Sequence, residues 1–235
     1  MSNSELPFIR DMFDTIAHRY DFLNRTLSMK RDVYWRREMV KALNLKKGQH
    51  GDVLDVACGT GDVALEAFDQ CGKAIGITGM DFSQNMLILA KEKIKQKKAR
   101  TISLLAGNAL CLPFGKEQFD AVTIAFGIRN IGDKKGALEE FWRCMKPGGT
   151  LAVLELSTPE NRFFHALYMA YFTKILPFVG GFFSDNQSAY QYLPESVIRF
   201  PDSETFAGIM QSAGFREVHW KKMTLGIVTL YTGEK

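Results

Sequence analysis

The chain has 235 residues, a length that suits one large domain or one domain with a small appendage. Hydrophobic residues make up 46% and charged residues 24%, which excludes a disordered, collagen-like or wholly coiled-coil protein. Lys and Arg outnumber Asp and Glu by 30 to 26, and a net charge of only +4 does not indicate a dedicated nucleic-acid domain.

Four cysteines are scattered along the chain without a C-x-x-C pair or a nearby histidine cluster, so no metal site is expected. Unpaired cysteines are typical of a reducing compartment. The first residues, MSNSELPFIRDMFD, lack the apolar core of a signal peptide. The sequence therefore predicts a cytoplasmic protein.

Residues 1–50 predict helices, because Phe13, Ile16, Ala17 and Tyr20 recur on one helical face. We interpret 1–50 as a helical segment of the same domain as the rest of the chain.

From residue 51 onwards, short apolar runs alternate with helical stretches. Strands are predicted at 53–57, 74–80, 102–105, 119–125 and 150–156, with helices from 63, from 81 to about 97, and over 137–145. Five strands in alternation with helices predict an α/β fold with a doubly wound, mostly parallel sheet of Rossmann-like type.

The end of the chain follows another pattern. A helix is predicted over 203–213, and two strands at 217–222 and 227–232 are close enough in sequence to pair antiparallel. An aromatic-rich insertion, 158–202, lies between these elements and the main sheet. The main domain is therefore assigned to 51–235, with this insertion as a hydrophobic cap over a substrate.

A glycine loop follows the first strand. Gly59 and Gly61, together with Ala64, form a G-x-G-x-x-A pattern that on its own matches a dinucleotide-binding fingerprint. Asp81 lies 20 residues beyond Gly61, at the end of the second strand, where a carboxylate can bind ribose hydroxyls.

Charge separates the two cofactor classes that this pattern allows. Asp55 and Asp62 flank the loop and would repel a pyrophosphate, whereas the sulfonium and ammonium groups of S-adenosylmethionine would be attracted. Asn108, after the third strand, can both donate to and accept from an adenine edge. The pattern favours S-adenosylmethionine over NAD, although surface or helix-capping acids and a turn asparagine are the structural alternatives.

Several blocks of the sequence together identify a known pattern. They are VLDVACGTGDVA (53–64), GNALCLPF (107–114), FDAVTIAFGIRN (119–130) and CMKPGGTLAVLELS (144–157), with MFDTIAHRYDFLNRTLS (12–28) and MTLGIVTLYTGEK (223–235) at the ends. These blocks resemble the UbiE/MenG family, the C-methyltransferases of ubiquinone and menaquinone biosynthesis. FG-x-RN, within the third block, is the narrowest mark of that family, and the resemblance runs from about residue 12 to the C-terminus.

The resemblance implies a class I methyltransferase fold, S-adenosylmethionine as methyl donor and a prenylated quinol as acceptor. It implies donor-binding roles for Thr60, Asp81, Asn108 and Ala109, which join Gly59 and Gly61 of the loop. The chain departs from the family where a serine contact reads Ala125, where serine-x-glycine reads Ser28-Met29-Lys30, and where a histidine reads Tyr231.

Methylation at carbon requires an electron-rich ring carbon, which a deprotonated quinol supplies. Arg129 and Asn130 follow the fourth strand and are the predicted catalytic residues. Arg129 stays protonated, so it would hold the phenolate or orient the group that takes its proton, unless it forms a structural salt bridge. Tyr20, Tyr190 and Tyr192 are candidate pocket walls or core residues.

The acceptor is predicted to be demethylmenaquinol. The benzoquinol of the ubiquinone pathway is the alternative, and a nucleic-acid methyltransferase is less favoured because the stretch after the fourth strand lacks an Asn/Asp-Pro-Pro-aromatic motif. No nucleic-acid partner is expected, and the sequence does not indicate an oligomeric state.

Residues 163–183 hold eight of the chain's 28 aromatic residues. Pro177 and Gly180-Gly181 interrupt the segment, which argues against a membrane-spanning helix. The remaining alternatives are a buried packing helix and, preferred here, a hydrophobic lid over a prenyl tail that also contacts the membrane surface.

Overall fold

The computed structural model describes residues 5–45, 48, 50–171 and 187–235. Its strands are β1 (Gly51–Val56), β2 (Ile75–Asp81), β3 (Ile102–Ala106), β4 (Phe119–Ala125), β5 (Met145–Leu156), β6 (Arg216–Met223) and β7 (Val228–Glu234). The α-helices of the described residues are α1 (Glu5–Leu27), α2 (Arg31–Ala42), α3 (Asp62–Cys71), α4 (Gln84–Lys97), α5 (Lys134–Cys144), α6 (Arg162–Ala170), α7 (Gln187–Arg199) and α8 (Ser203–Ser212).

The strands form one sheet in the order β3-β2-β1-β4-β5-β7-β6. Neighbours from β3 to β5 pair parallel, while β7 pairs antiparallel with both β5 and β6. The predicted mostly parallel sheet with a C-terminal antiparallel strand pair is therefore confirmed. The chain order reverses between β1 and β4, and ligands of such sheets bind at the carboxyl ends of the strands on either side of that point.

The predicted alternation of strands and helices is wrong at one connection. Residues 107–118, between β3 and β4, contain turns and a short bridge from Asn108 to Cys111 instead of a helix. Pro113 and Gly115 lie in this connection, and both residue types disfavour a helix interior. β5 also begins at Met145, five residues before the predicted start, because Met145 pairs with Phe119 ahead of a register shift.

Each face of the sheet buries its own apolar layer. Leu54 and Ile124 point into the layer that includes Phe141 and Phe206, while Val53 packs with Trp35 and Met39 of α2 on the opposite face. Adjacent strand residues point to opposite faces, so an apolar run such as 53–56 supplies both layers.

Tyr231, which stands where the family usually has a histidine, is fully buried in the sheet. Its ring packs edge-on against Phe206 with the ring centroids 4.8 Å apart. Its hydroxyl lies 3.4 Å from the Ser203 hydroxyl. This residue contributes to the core, and neither cavity described below is lined by it.

α6 covers the first part of the 163–183 segment, and residues 172–183 lie outside the described residues. Across the described ranges, every helix is too short or too polar to cross a membrane.

Asp55 is a buried carboxyl group in the middle of the sheet, where its Oδ1 accepts a hydrogen bond from the Thr123 hydroxyl at 2.8 Å. Burial raises its pKa from the usual 3.8 to about 7. The folded chain therefore binds this proton more tightly than the unfolded chain does. The contribution of Asp55 to the free energy of unfolding falls as the pH rises from about 4 to about 7 and is constant above that range.

We expect Asp55→Asn to remove this pH-dependent loss of stability, because asparagine does not titrate. The free energy of unfolding of the variant, measured relative to wild type by urea denaturation, should rise by up to about 4 kcal/mol between pH 4 and pH 8. Asp120→Asn is the control, because Lys146 lowers the pKa of Asp120 in spite of its partial burial. The pH dependence of that contribution lies below about pH 4, so the free energy of unfolding of this variant relative to wild type should change little between about pH 5 and pH 8. A pH-independent difference for Asp55→Asn would contradict the prediction.

Candidate functional site

Two cavities lie at the carboxyl edge of the parallel strands. The first cavity, of about 540 Å³, is formed by the loops that follow β1, β2, β3 and β4 and is covered by α1. Its lining includes Gly59, Asp81, Asn108, Ala109 and Ala125 on the sheet side. Ile9, Phe13 and Tyr20 line it from α1.

Asp81, the last residue of β2, is held in a fixed orientation in the first cavity. Its Oδ2 accepts a hydrogen bond from the Gly59 amide at 2.7 Å, and its Oδ1 accepts one from the Ser83 amide at 2.9 Å. Burial raises the pKa of Asp81, although the two amides act in the opposite direction. The carboxylate can accept further hydrogen bonds from a ligand, since each oxygen has a second lone pair.

The other predicted donor-binding residues divide into two groups. Gly59, Asn108 and Ala109 line the first cavity. Thr60 and Gly61 are not among its lining residues. Their predicted donor-binding roles therefore lack a direct cavity contact.

Thr60 and Gly61 make contacts with neighbouring helices. The Thr60 hydroxyl donates to Asp21 of α1 at 2.6 Å and accepts from Lys93 of α4 at 3.0 Å. Gly61 has φ +81°, and a Cβ atom there would lie 3.2 Å from that of Ala90. Both residues therefore help to fix α1 and α4 against the glycine loop.

The structure corrects part of the charge argument made from the sequence. Asp62 does not face a ligand, because its carboxylate binds Arg25 at 2.9 Å, Arg36 at 3.1 Å and Lys93. These cations lower the pKa of Asp62 in spite of its burial. Asp55 points to Thr123 and is likewise absent from the lining of the first cavity. Asp81 and Asp133 are the carboxylates that line it, with Arg10 as the cationic lining residue.

The second cavity, of about 580 Å³, is mostly apolar and lies beside the first. Leu23 and Leu27 of α1 line it on one side, and Phe164 and Tyr168 of α6 line it on another. The apolar walls suit a hydrocarbon ligand.

Arg129 gives the second cavity a buried cation. Its Nη1 donates to Oε1 of Glu155 at 2.7 Å and to the Phe126 carbonyl, and its Nε donates to the Ser196 hydroxyl at 3.3 Å. Burial alone would lower its pKa, but Glu155 outweighs that effect and the pKa is raised. The salt bridge that the sequence left as an alternative is therefore present, in a residue that also lines a cavity.

Asn130 faces the first cavity, and its Oδ1 accepts a hydrogen bond from the Tyr192 hydroxyl at 3.0 Å. Tyr192 lines the second cavity, so the two predicted catalytic residues belong to neighbouring walls of the two cavities.

Phe13, Tyr20 and Phe126 line both cavities, and Tyr20 and Phe126 mark the place where α1 and the loop after β4 meet between them. Phe126 has φ +57° and Ala57 has φ +51°, a conformation that L-residues seldom adopt. A Cβ atom at Gly127 would lie 2.8 Å from that of Ala57, so these two loops touch at the reversal point of the sheet.

Burial raises the pKa of Tyr20, against the opposing effects of Asn24, Arg129 and Arg36, so the phenol remains protonated near neutral pH.

Sequence reasoning missed Glu155 and treated Tyr20 only as a wall. Glu155 had a signal, because it is a single charged residue inside the apolar strand LAVLEL. A charge in a buried strand requires a partner, and in the structure that partner is Arg129, the cation of the FDAVTIAFGIRN block. Tyr20 had no such signal, since only the packing of α1 brings it between the cavities.

Comparison with known proteins places this arrangement in a family. The model of the ubiE/COQ5 methyltransferase family matches residues 1–235. The chain belongs to this family. A ubiquinone/menaquinone biosynthesis C-methyltransferase UbiE of Geobacter sulfurreducens is 48% identical to it over 228 residues, which cover 97% of this chain and 88% of that protein.

A demethylmenaquinone methyltransferase of Anoxybacillus flavithermus is 38% identical to this chain over 235 residues. The matched region covers 100% of this chain and 98% of that protein. Among solved structures, a SAM-dependent methyltransferase from Aquifex aeolicus superposes with a TM-score of 0.62 at 19% identity, over 84% of this chain and 88% of that one. The structural likeness establishes the fold: a Rossmann-like class I methyltransferase.

S-adenosylmethionine fits the first cavity of this family member. Asp81 presents two oxygens that backbone amides already hold in place, as a pair of ribose hydroxyls requires. Asn108 borders the same space, although its Oδ1 also accepts from the Leu110 amide at 3.0 Å. Asp81 and Asp133 favour a cationic ligand over a pyrophosphate.

We expect Asp81→Ala to weaken S-adenosylmethionine binding by roughly ten- to hundredfold, because charge-assisted hydrogen bonds contribute about 1.5–3 kcal/mol. Asp81→Asn, which keeps one acceptor oxygen, should fall between Asp81→Ala and wild type. Isothermal titration calorimetry measures both affinities, with Asp69→Ala on the outer surface of α3 as the control. Unchanged affinity in a folded Asp81→Ala variant would disprove the assignment.

Proposed function

We propose that the chain transfers the methyl group of S-adenosylmethionine to a ring carbon of a prenylated quinol, converting demethylmenaquinol to menaquinol. The observation that carries this proposal is the contact of two unlike cavities at Tyr20 and Phe126. One offers a fixed carboxylate for the donor, and the other offers apolar walls and the buried guanidinium of Arg129 for the acceptor. The names of the Geobacter and Anoxybacillus relatives support a quinone-type acceptor.

The donor, when bound, supplies an electrophilic methyl group on a positively charged sulfur. Asp81 binds the ribose hydroxyls, while Asn108 and Ala109 border the adenine. Gly59 lines the first cavity with φ +53°, and without a side chain it lets the backbone approach the ligand closely. These residues bind and orient the donor.

Arg129 stabilises the ionised oxygen of the quinol. Its Nη1 and Nε donate to protein groups, and its Nη2 makes no hydrogen bond with the described residues. We infer that Nη2 donates to this oxygen and so favours the ionised form of the quinol, in which the ring carbon is nucleophilic. Tyr20 orients the ring where the cavities meet, and Asn130 together with Tyr192 fixes the wall between them.

The name of the Anoxybacillus relative favours a naphthoquinol, and that of the Geobacter relative covers both quinone pathways. The benzoquinol of the ubiquinone pathway is therefore the second candidate. A nucleic-acid methyltransferase is not favoured.

We also propose that residues 1–50 belong to the same domain as 51–235, and that 158–202 caps the acceptor. α1 lines both cavities and α6 lines the second, which supports both assignments. A substrate with a long prenyl tail resides in a bilayer, so we place the enzyme in the cytoplasm with its working position at the membrane surface.

The proposed activity is tested by transfer of a labelled methyl group to three acceptors: a prenylated demethylnaphthoquinol, the same ring without its tail, and the corresponding prenylated benzoquinol. We expect a higher kcat/KM for the prenylated naphthoquinol than for the ring without its tail, because each buried CH₂ contributes about 0.8 kcal/mol. The name of the Anoxybacillus relative favours the prenylated naphthoquinol over the prenylated benzoquinol as well. Equal kcat/KM with and without the tail would contradict a lipid substrate, and no methylation of any quinol would refute the function.

Two variants on one helix serve as matched controls for this measurement. Leu23 lines the second cavity and Ile9 lines the first, and both are buried residues of α1. Leu23→Asn should reduce the preference for the prenylated acceptor while donor affinity stays near normal. Ile9→Asn should weaken the binding of S-adenosylmethionine and leave the preference for the prenylated acceptor intact.

A double substitution separates the structural role of Arg129 from its chemical role. Arg129→Met should lower the free energy of unfolding by about 3–5 kcal/mol, because Glu155 is left as an uncompensated buried charge. Adding Glu155→Gln should recover most of that stability, whereas kcat should remain low in both variants at near-normal donor affinity. Recovery of kcat together with stability would show that Arg129 acts only through its salt bridge.

A further inference from the structure

Two strained turns lie at the opening of the second cavity. Met29 and Lys30, between α1 and α2, both have positive φ, and so do Thr224 and Leu225 between β6 and β7. Each turn presents a large apolar side chain to solvent, since Met29 is 84% exposed and Leu225 is 64% exposed. Both side chains also line the second cavity.

α6 continues this exposed apolar surface. Phe163, Ala166, Leu167 and Ala170 are exposed, and their spacing of three, four and seven residues places them on one side of the helix. Phe164 and Tyr168 of the same helix face the second cavity. A helix that is apolar towards the protein and towards solvent offers an apolar surface to a partner.

Cations accompany these apolar groups. Lys30 and Arg31 follow Met29, and Arg162 precedes Phe163. All three are exposed and form no ion pair within the described ranges. The nearby acid Glu160 is already bound by Lys222. The opening of the second cavity is therefore apolar with a positive margin, which is complementary to an anionic lipid surface.

We propose that this mouth surface, consisting of Met29, Lys30, Arg31, Phe163, Leu167 and Leu225, docks on a bilayer that contains anionic phospholipid. The proposal rests on the proposed function, because a prenylated acceptor can then pass from the bilayer into the second cavity without crossing water. A second copy of the chain is the weaker candidate. Self-association through this surface would cover the opening and bring like charges together around the two-fold axis.

Vesicle sedimentation tests the surface directly, with vesicles of phosphatidylcholine alone or mixed with phosphatidylglycerol. Wild type should bind the mixed vesicles, and Met29→Ser/Leu225→Ser should reduce the partition coefficient by roughly tenfold or more. Lys30→Gln/Arg31→Gln should lower the partition coefficient roughly fivefold for each removed charge on mixed vesicles. On neutral vesicles the partition coefficient should not change.

Matched controls lie on α4, away from the opening. Ile88→Ser removes an apolar side chain that is 56% exposed, and Lys91→Gln/Lys95→Gln removes two exposed charges. Both controls should bind vesicles as wild type does. Equal binding by wild type and the mouth-surface variants would overturn the proposal. A concentration-dependent dimer that the same substitutions dissociate would likewise overturn it, in favour of self-association.

An assay with a quinol that carries one short, water-soluble prenyl unit keeps this result distinct from the proposed function. Lys30→Gln/Phe163→Ser, whose residues line neither cavity, should methylate it at the wild-type rate and lose activity only with acceptor embedded in vesicles. Absence of vesicle binding with an active soluble assay refutes the docking surface alone. An inactive wild type in the soluble assay refutes the proposed function.

Discussion

The carboxylate of Asp62 holds the N-terminal helices against the sheet. It stands at the first turn of α3, directly after the glycine loop, and binds Arg25 of α1, Arg36 of α2 and Lys93 of α4. Because the group is largely buried, removal of any one cation would leave part of its charge uncompensated. The position of α1, and with it the roof of both cavities, depends on this convergence.

Much of the fold could be predicted from local sequence patterns. Apolar runs such as Val53–Val56 and the turn at Gly59 define strand, loop and helix within a few residues, and Asp81 is recognisable by its distance from that turn. The missing helix before β4 was harder to predict, because the turn from Asn108 to Cys111 depends on a bridge that alternation alone does not reveal.

The site was less predictable because its decisive contacts are remote in sequence. Asp62 was interpreted as a group that attracts the donor, since the three cations that bind it lie between 26 and 37 positions away. Tyr20 reaches the junction of the cavities only through the packing of α1 on the glycine loop and α4. Local sequence identifies a titratable residue, but its partners decide whether it binds a ligand or stabilises the fold.

α1 forms part of the wall of the first cavity through Ile9 and Phe13 and part of the second through Leu23 and Leu27. A displacement of this one helix therefore changes the walls of both cavities together. Under the proposed function, the affinities for donor and acceptor would be energetically linked through α1, and such linkage acts equally in both directions. The order in which the two ligands arrive then alters the kinetics of assembly but not the free energy of the ternary complex.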